Sequence, residues 1–101
     1  MAAESISSEA RPKLSFRARV QNDKLTGKPV LLYPEGALIL NPTGHAIVTL
    51  CTGDSTVEEI IKTLAARFQA PVERIAPEVT RYLERLIARN LVELKQAPIV
   101  S

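Results

Sequence analysis

The sequence predicts an α+β fold, a three-stranded antiparallel β-meander followed by three α-helices in a winged helix-turn-helix-like arrangement. Three observations predict it. Short apolar runs separated by turn residues fill the first forty positions, whereas apolar residues at helical spacing fill the rest, with a cap or a Pro at each helix start. Strands and helices are segregated along the chain, the signature of α+β rather than alternating α/β order. The chain is also only 101 residues long, enough for one small core and no more.

Leu14, Phe16, Ala18 and Val20 alternate with Ser15, Arg17 and Arg19, so Leu14–Val20 is expected as the first, half-buried strand. The polar stretch 21–28 contains Asn22, Asp23 and Gly27 and reads as a loop. Val30-Leu31-Leu32-Tyr33 and Ala37-Leu38-Ile39-Leu40 flank Pro34-Glu35-Gly36, a hairpin signal, with Pro29 opening the second strand. Asn41-Pro42 supplies an N-cap and an N1 proline for helix one, whose apolar face is Ile47, Leu50 and Cys51 and whose stop is Gly53. Thr56 with Glu59 forms a capping box (Ser55 with Glu58 is the alternative) for helix two, where Val57, Ile60, Ile61, Leu64, Ala65 and Phe68 recur at helical spacing. Helix three is expected from Pro77, after a single turn over residues 72–76, with Val79, Tyr82, Leu83, Leu86 and Ile87 inward and Asn90 as its left-handed stop. Leu91–Leu94 folds back on the core. Residues 1–10 are expected as a disordered N-terminal tail, 11–94 as a single domain and 95–101 as a C-terminal tail.

Composition excludes more function classes than it suggests. One Cys and one His cannot supply the four ligands of a structural zinc site, and a lone Cys cannot form an internal disulfide. That usage suits a reducing, cytoplasmic compartment. No apolar run approaches the ~20 residues of a membrane span, and the first ten residues lack a signal peptide's basic and apolar regions. The four glycines are scattered, so no phosphate loop exists, and no metal, nucleotide or flavin motif appears. Cys51 lies six residues beyond His45, roughly 240° around a helix, so the two do not form a nucleophile–base pair within it. We expect a protein without catalytic residues, cofactor or metal.

Two features remain. The run Ala37-Leu38-Ile39-Leu40 carries no charge to discourage pairing, so its edge is either covered by a helix or open to an added peptide strand. Arg81, Arg85 and Arg89 recur every four residues, a cationic stripe on helix three that is either a solvated face or a surface for an acidic partner.

The run Leu31-Leu32-Tyr33-Pro34-Glu35-Gly36-Ala37-Leu38-Ile39-Leu40-Asn41 resembles the PqqD family of pyrroloquinoline quinone (PQQ) biosynthesis. So do Leu50-Cys51-Thr52-Gly53, Thr56-Val57-Glu58-Glu59-Ile60, Leu64 and Phe68, and the pattern Val79, Leu83, Leu86 followed by Asn90-Leu91-Val92. The resemblance covers about Arg11 to Leu94, and departs at Gly44-His45, where small or acidic residues are common in the family. It implies a winged helix-turn-helix of three strands and three helices, and a peptide chaperone. Such a protein binds the leader of a ribosomally made precursor peptide and presents it to a radical S-adenosylmethionine (SAM) enzyme that crosslinks a Glu and a Tyr. It further implies that the leader adds as a strand to Ala37, Leu38, Ile39 and Leu40, in a groove walled by the helix from Glu78 to Arg89, with Val79, Arg81, Tyr82 and Arg85 as contacts. The alternative is a winged-helix DNA-binding module using Arg81, Arg85 and Arg89; a net charge of +2 is too weak to imply a polyanion on its own, and nucleic acid is not the expected partner. An open strand edge permits a monomer or a homodimer.

Overall fold

In a computed structural model, residues 6–95 are described. The order is β1 (Arg11–Leu14), β2 (Arg19–Asn22), β3 (Pro29–Tyr33), β4 (Gly36–Ile39), α1 (Pro42–Thr49), α2 (Val57–Phe68), α3 (Val72–Ala88) and β5 (Val92–Lys95). Strands β2, β3 and β4 form the antiparallel meander in that order, and β1 pairs with β5 in a separate ribbon. The α+β class and the meander before three helices are as the sequence predicts.

The single strand expected over Leu14–Val20 is instead two. Ser15 donates its N–H to the Leu91 carbonyl at 2.8 Å, and Ala18 donates back to the Ser15 carbonyl at 3.0 Å, closing a turn. The chain therefore leaves the β1–β5 ribbon at Ser15 and joins the meander at Arg19. Phe16, expected inward by alternation, lies at the tip of that turn and is 93% exposed. The return of residues 91–94 to the core takes the form of β5, with Leu14 opposite Val92 and Pro12 opposite Leu94.

The helices start where their caps put them. Asn41 Oδ1 accepts from the Gly44 N–H at 2.7 Å, and Pro42 stands in the first turn of α1. The Thr56–Glu59 capping box is formed in both directions. The two remaining N–H groups at the start of α2 are met from the N-terminal segment, Val57 donating to the Ala10 carbonyl and Glu58 to that of Ser8. Helix ends leave such donors without intrahelical partners, so this contact folds residues 6–10 onto the domain. Ala10 is buried and Ile6 packs on the core, contrary to the expected tail. Residues 1–5 of that tail, and 96–101 of the C-terminal one, lie outside the described residues. Helix α3 also differs: it is continuous from Val72, with Pro77 inside it. Burial of Ile75, one turn before Val79 on the same face, holds the first turn in line despite the proline. Asn90 takes the left-handed conformation (φ 62°) that ends the helix, and Leu91 donates to the Leu86 carbonyl.

Leu31, Ile47, Ile60, Leu64, Val79, Leu83 and Leu86 are the fully buried centre. Cys51 belongs to it. Its thiol donates to the Ile47 carbonyl at 3.2 Å, and burial pushes its pKa up to about 12. Gly44 of α1 lies against the ring of Tyr82 of α3. A Cβ at Gly44 would fall on the Tyr82 hydroxyl, so only glycine admits the ring there.

Gly44→Ala is therefore expected to lower stability despite the ~1 kcal/mol that Ala gains over Gly in a helix, because overpacking costs about 1–3 kcal/mol. In a Tyr82→Ala background the same change should be neutral or stabilising, which a urea-denaturation cycle reads directly. Cys51 should resist thiol reagents at pH 8 in the native chain and react promptly in urea. Its folded pKa lies above the unfolded value, so its stabilising contribution is full below about pH 9 and lost as pH rises toward 12. A Cys51→Ala variant should accordingly show a shallower alkaline decline in unfolding free energy.

Candidate functional site

The free edge of β4 follows from register. Val30 lies opposite Ile39, Leu31 opposite Leu38 and Leu32 opposite Ala37. Leu40 donates to the Pro29 carbonyl at 3.0 Å. Hydrogen-bonded and non-bonded pairs alternate along an antiparallel ladder, so Leu38 and Leu40 spend their main-chain groups on β3. Ala37 and Ile39 direct theirs away from it. Strand order leaves β4 at the margin of the sheet, so those groups face outward from an unpaired edge.

A groove of about 640 Å³ lies between that edge and α3. Leu38, Ile39 and Leu40 form one side, Tyr82, Arg85, Leu86 and Arg89 the other, and Asn41, Pro42 and His45 of the α1 start close one end. Lys28 and Pro29 complete the sheet side. The lining has an apolar floor and a cationic wall. It contains three cations and no carboxylate, and no acidic side chain reaches Lys28, Arg85 or Arg89 to form an ion pair among the described residues. Burial raises the Tyr82 pKa, an effect the neighbouring Arg85 charge partly offsets. Its phenol is thus neutral near pH 7 and available as a hydrogen-bond donor at the groove wall.

The structure brings Leu38, Ile39, Leu40, Tyr82 and Arg85 together around this groove. Leu38 and Leu40 turn toward the core and Ile39 turns outward, which resolves the parity of the strand. Ala37 is exposed on β4, where it offers backbone rather than side chain. Arg81 stands in an adjoining recess with Asn41, Thr43, Glu78 and Tyr82. Val79 is a correction: it is fully buried among the core residues and is not among those lining the groove. Sequence reasoning missed Lys28, Pro29, Asn41, Pro42, His45 and Leu86 as lining. The hairpin register carried a signal for Pro29, since extending it places Pro29 beside Leu40. His45 lines the groove whereas Cys51 is buried in the core, so the two form no reactive pair. No helix among the described residues is long and apolar enough to cross a membrane.

Comparison with known proteins gives a consistent picture. The family model described as coenzyme PQQ synthesis protein D (PqqD) matches residues 29–92, from β3 to the start of β5. A PqqA binding protein of Rhizobium meliloti (strain 1021) is 34% identical over 91 residues, covering 90% of this chain and 93% of that protein. A PqqA binding protein of Stutzerimonas stutzeri (strain A1501) is 38% identical over 83 residues, covering 80% and 89%. Among solved structures, the solution NMR structure of the PqqD truncation of Methylobacterium extorquens PqqCD superposes with a TM-score of 0.74 at 27% identity, covering 89% of this chain and 95% of that one. That truncation is described as a functional, stand-alone recognition element for ribosomally synthesized and post-translationally modified peptides. With the match spanning the sheet edge, the groove and all three helices, the chain belongs to the PqqD family.

Proposed function

We propose that this chain binds PqqA, the precursor peptide of PQQ biosynthesis, as a fourth strand on β4, and delivers it in the cytoplasm to the radical SAM enzyme of the pathway. The relatives named PqqA binding protein and the fold shared with a peptide recognition element support the choice of ligand. The observation that carries the binding mode is the unpaired β4 edge beside an apolar, cation-walled groove.

The geometry divides the labour. The outward main-chain groups of Ala37 and Ile39 supply sequence-independent hydrogen bonds, each with a net value of about 0.5–1.5 kcal/mol. Leu38 and Tyr82 offer apolar surface for the inward side chains of the added strand, over a floor underlain by the buried Leu40 and Leu86. Arg85, Arg89 and Lys28 favour carboxylates, which steers encounter and selects an acidic segment more than it deepens affinity. Arg81 extends that cationic wall toward the α1 start. The chain performs no catalytic step in this scheme. Its only thiol is buried and stays protonated at neutral pH, and the chemistry belongs to the partner enzyme.

Titration of isotope-labelled chain with PqqA should shift the amides of Ala37 and Ile39 and of α3 near Tyr82; shifts confined to the β2 edge would relocate the site. Ala37→Pro removes one outward N–H without breaking a bond to β3. It should weaken PqqA binding about tenfold while leaving the thermal midpoint nearly unchanged. Arg85→Glu should slow association several-fold at low ionic strength, with the difference shrinking as salt screens it. A salt-independent rate in stopped-flow measurements would remove the steering role.

A further inference from the structure

The closed end of the groove carries hydrogen-bonding groups that the fold leaves unused. Asn41 and His45 stand at that end, and Tyr82 lines it from α3. A Cβ at Gly44 would meet both the Tyr82 hydroxyl and Asn41 Oδ1, so these two side chains converge on the residue before His45. Asn41 spends its Oδ1 on the Gly44 N–H, which leaves its amide NH2 to donate. Neither the His45 ring nor the Tyr82 hydroxyl bonds another group among the described residues. No buried side-chain polar atom there lacks a partner, so both remain accessible.

The charges that share the groove with His45 are all positive. Lys28 comes from the turn before β3, and Arg85 and Arg89 come from α3. Neither β4 nor the rest of α1 contributes a charged side chain. Glu78 and Arg81 stand in the adjoining recess, outside the groove lining. On α2, which packs against α1, Glu58 pairs with Lys62 and Glu59 is spent on the capping box, and no charged residue of that helix lines the groove. Burial raises the Tyr82 pKa, so the phenol keeps its proton through the neutral range. The imidazole is therefore the one group of the lining whose charge changes between about pH 5 and 8.

We infer that His45, Asn41 and Tyr82 form a subsite for one carboxylate side chain of the bound strand, and that the carboxylate brings a proton onto His45. Resting on the function proposed above, the subsite gives the acidic segment a fixed register in the groove. A carboxylate accepts from the Asn41 amide, the Tyr82 hydroxyl and the imidazolium N–H, whereas a side-chain amide offers one acceptor atom to the same three donors. An adjacent negative charge favours the charged imidazole, so peptide binding and protonation strengthen each other. The complex then holds more protons than its free components, and affinity rises as pH falls from about 8 to about 5.5. Protonation of the peptide's own carboxylates acts in the opposite direction and belongs to lower pH. Lys28, Arg85 and Arg89 attract the same segment without that dependence.

The test is calorimetric titration of the untagged full chain with PqqA across that pH range, in pairs of buffers that differ in ionisation enthalpy. Affinity should rise about tenfold toward the acid end, with net proton uptake near pH 7. The chain has one histidine, so its ring signal is read by NMR without a variant, and PqqA should move that signal toward the imidazolium position at pH 7. His45→Gln should remove both the slope and the proton uptake, and His45→Lys should remove the slope while keeping the tighter binding at pH 8. Replacing the PqqA carboxylates by amides one at a time should find one position whose loss flattens the wild-type slope and has no further effect with His45→Gln. A pH-independent affinity, or a slope that survives His45→Gln, overturns the inference while leaving PqqA binding in place. A slope indifferent to every carboxylate replacement overturns the carboxylate as its ligand. A wild-type chain that binds PqqA at no pH overturns the proposed function and this subsite together.

Discussion

The groove depends on the contact between Tyr82 and Gly44. The ring can lie against α1 only where α1 has no Cβ. That approach brings Tyr82 of α3, whose helix packs on α2, against the start of α1, which β4 enters through Leu40 and Asn41. The same ring forms part of the groove wall. One packing contact thus places a groove-wall side chain against the helix that closes the groove's end. Glycine costs about 1 kcal/mol of helix propensity here, and the position of the ring is what requires it.

An apolar strand edge next to an apolar floor is an aggregation hazard. The charge distribution manages it. Lys28, Arg85 and Arg89 surround the groove without a carboxylate partner among the described residues. A second copy of the same groove or a neutral strand must bring its apolar residues past uncompensated cations, whereas an acidic segment is favoured at the same positions. The modest net charge of +2 conceals this, because the acids sit elsewhere: Glu58 and Glu59 in the first turn of α2, one of them paired with Lys62.

What the sequence made legible follows from range. The caps at Asn41 and Thr56, the left-handed Asn90 and the Tyr33–Gly36 hairpin are written within a few residues, and each appears where expected. The errors are all long-range. Alternation over Leu14–Val20 is real, but Ser15 bonds Leu91, seventy-six positions away, and that bond turns the chain. Residues 6–10 look like a polar tail until α2 needs two acceptors for its first N–H groups. Pro77 reads as a helix start, and only the burial of Ile75 shows that the turn before it is held in line. Val79 is expected among the contacts from the resemblance, yet it is fully buried in the core, as its place on the inward face of α3 predicts. At the site, the open edge and the arginine stripe were visible separately. Their facing one another across a single groove is implied by the family resemblance and not by the residues themselves, because nothing local fixes the packing of α3 against β4.

The four residues of β4 serve three directions at once. Leu38 packs inward, the main-chain groups of Ala37 and Ile39 point outward along the edge, and the side chains of Ala37 and Ile39 lie on the outer face. A strand has no fourth direction to spare, so any substitution that changes side-chain size or backbone bonding there disturbs more than one surface. The two flanking surfaces are built differently. Arg85 reaches the groove from a helix whose buried side is set by Val79, Leu83 and Leu86, and Phe16 reaches the outer face from a turn anchored by Ser15. Neither side chain contributes to the core. Both can therefore be changed without altering the strand they flank.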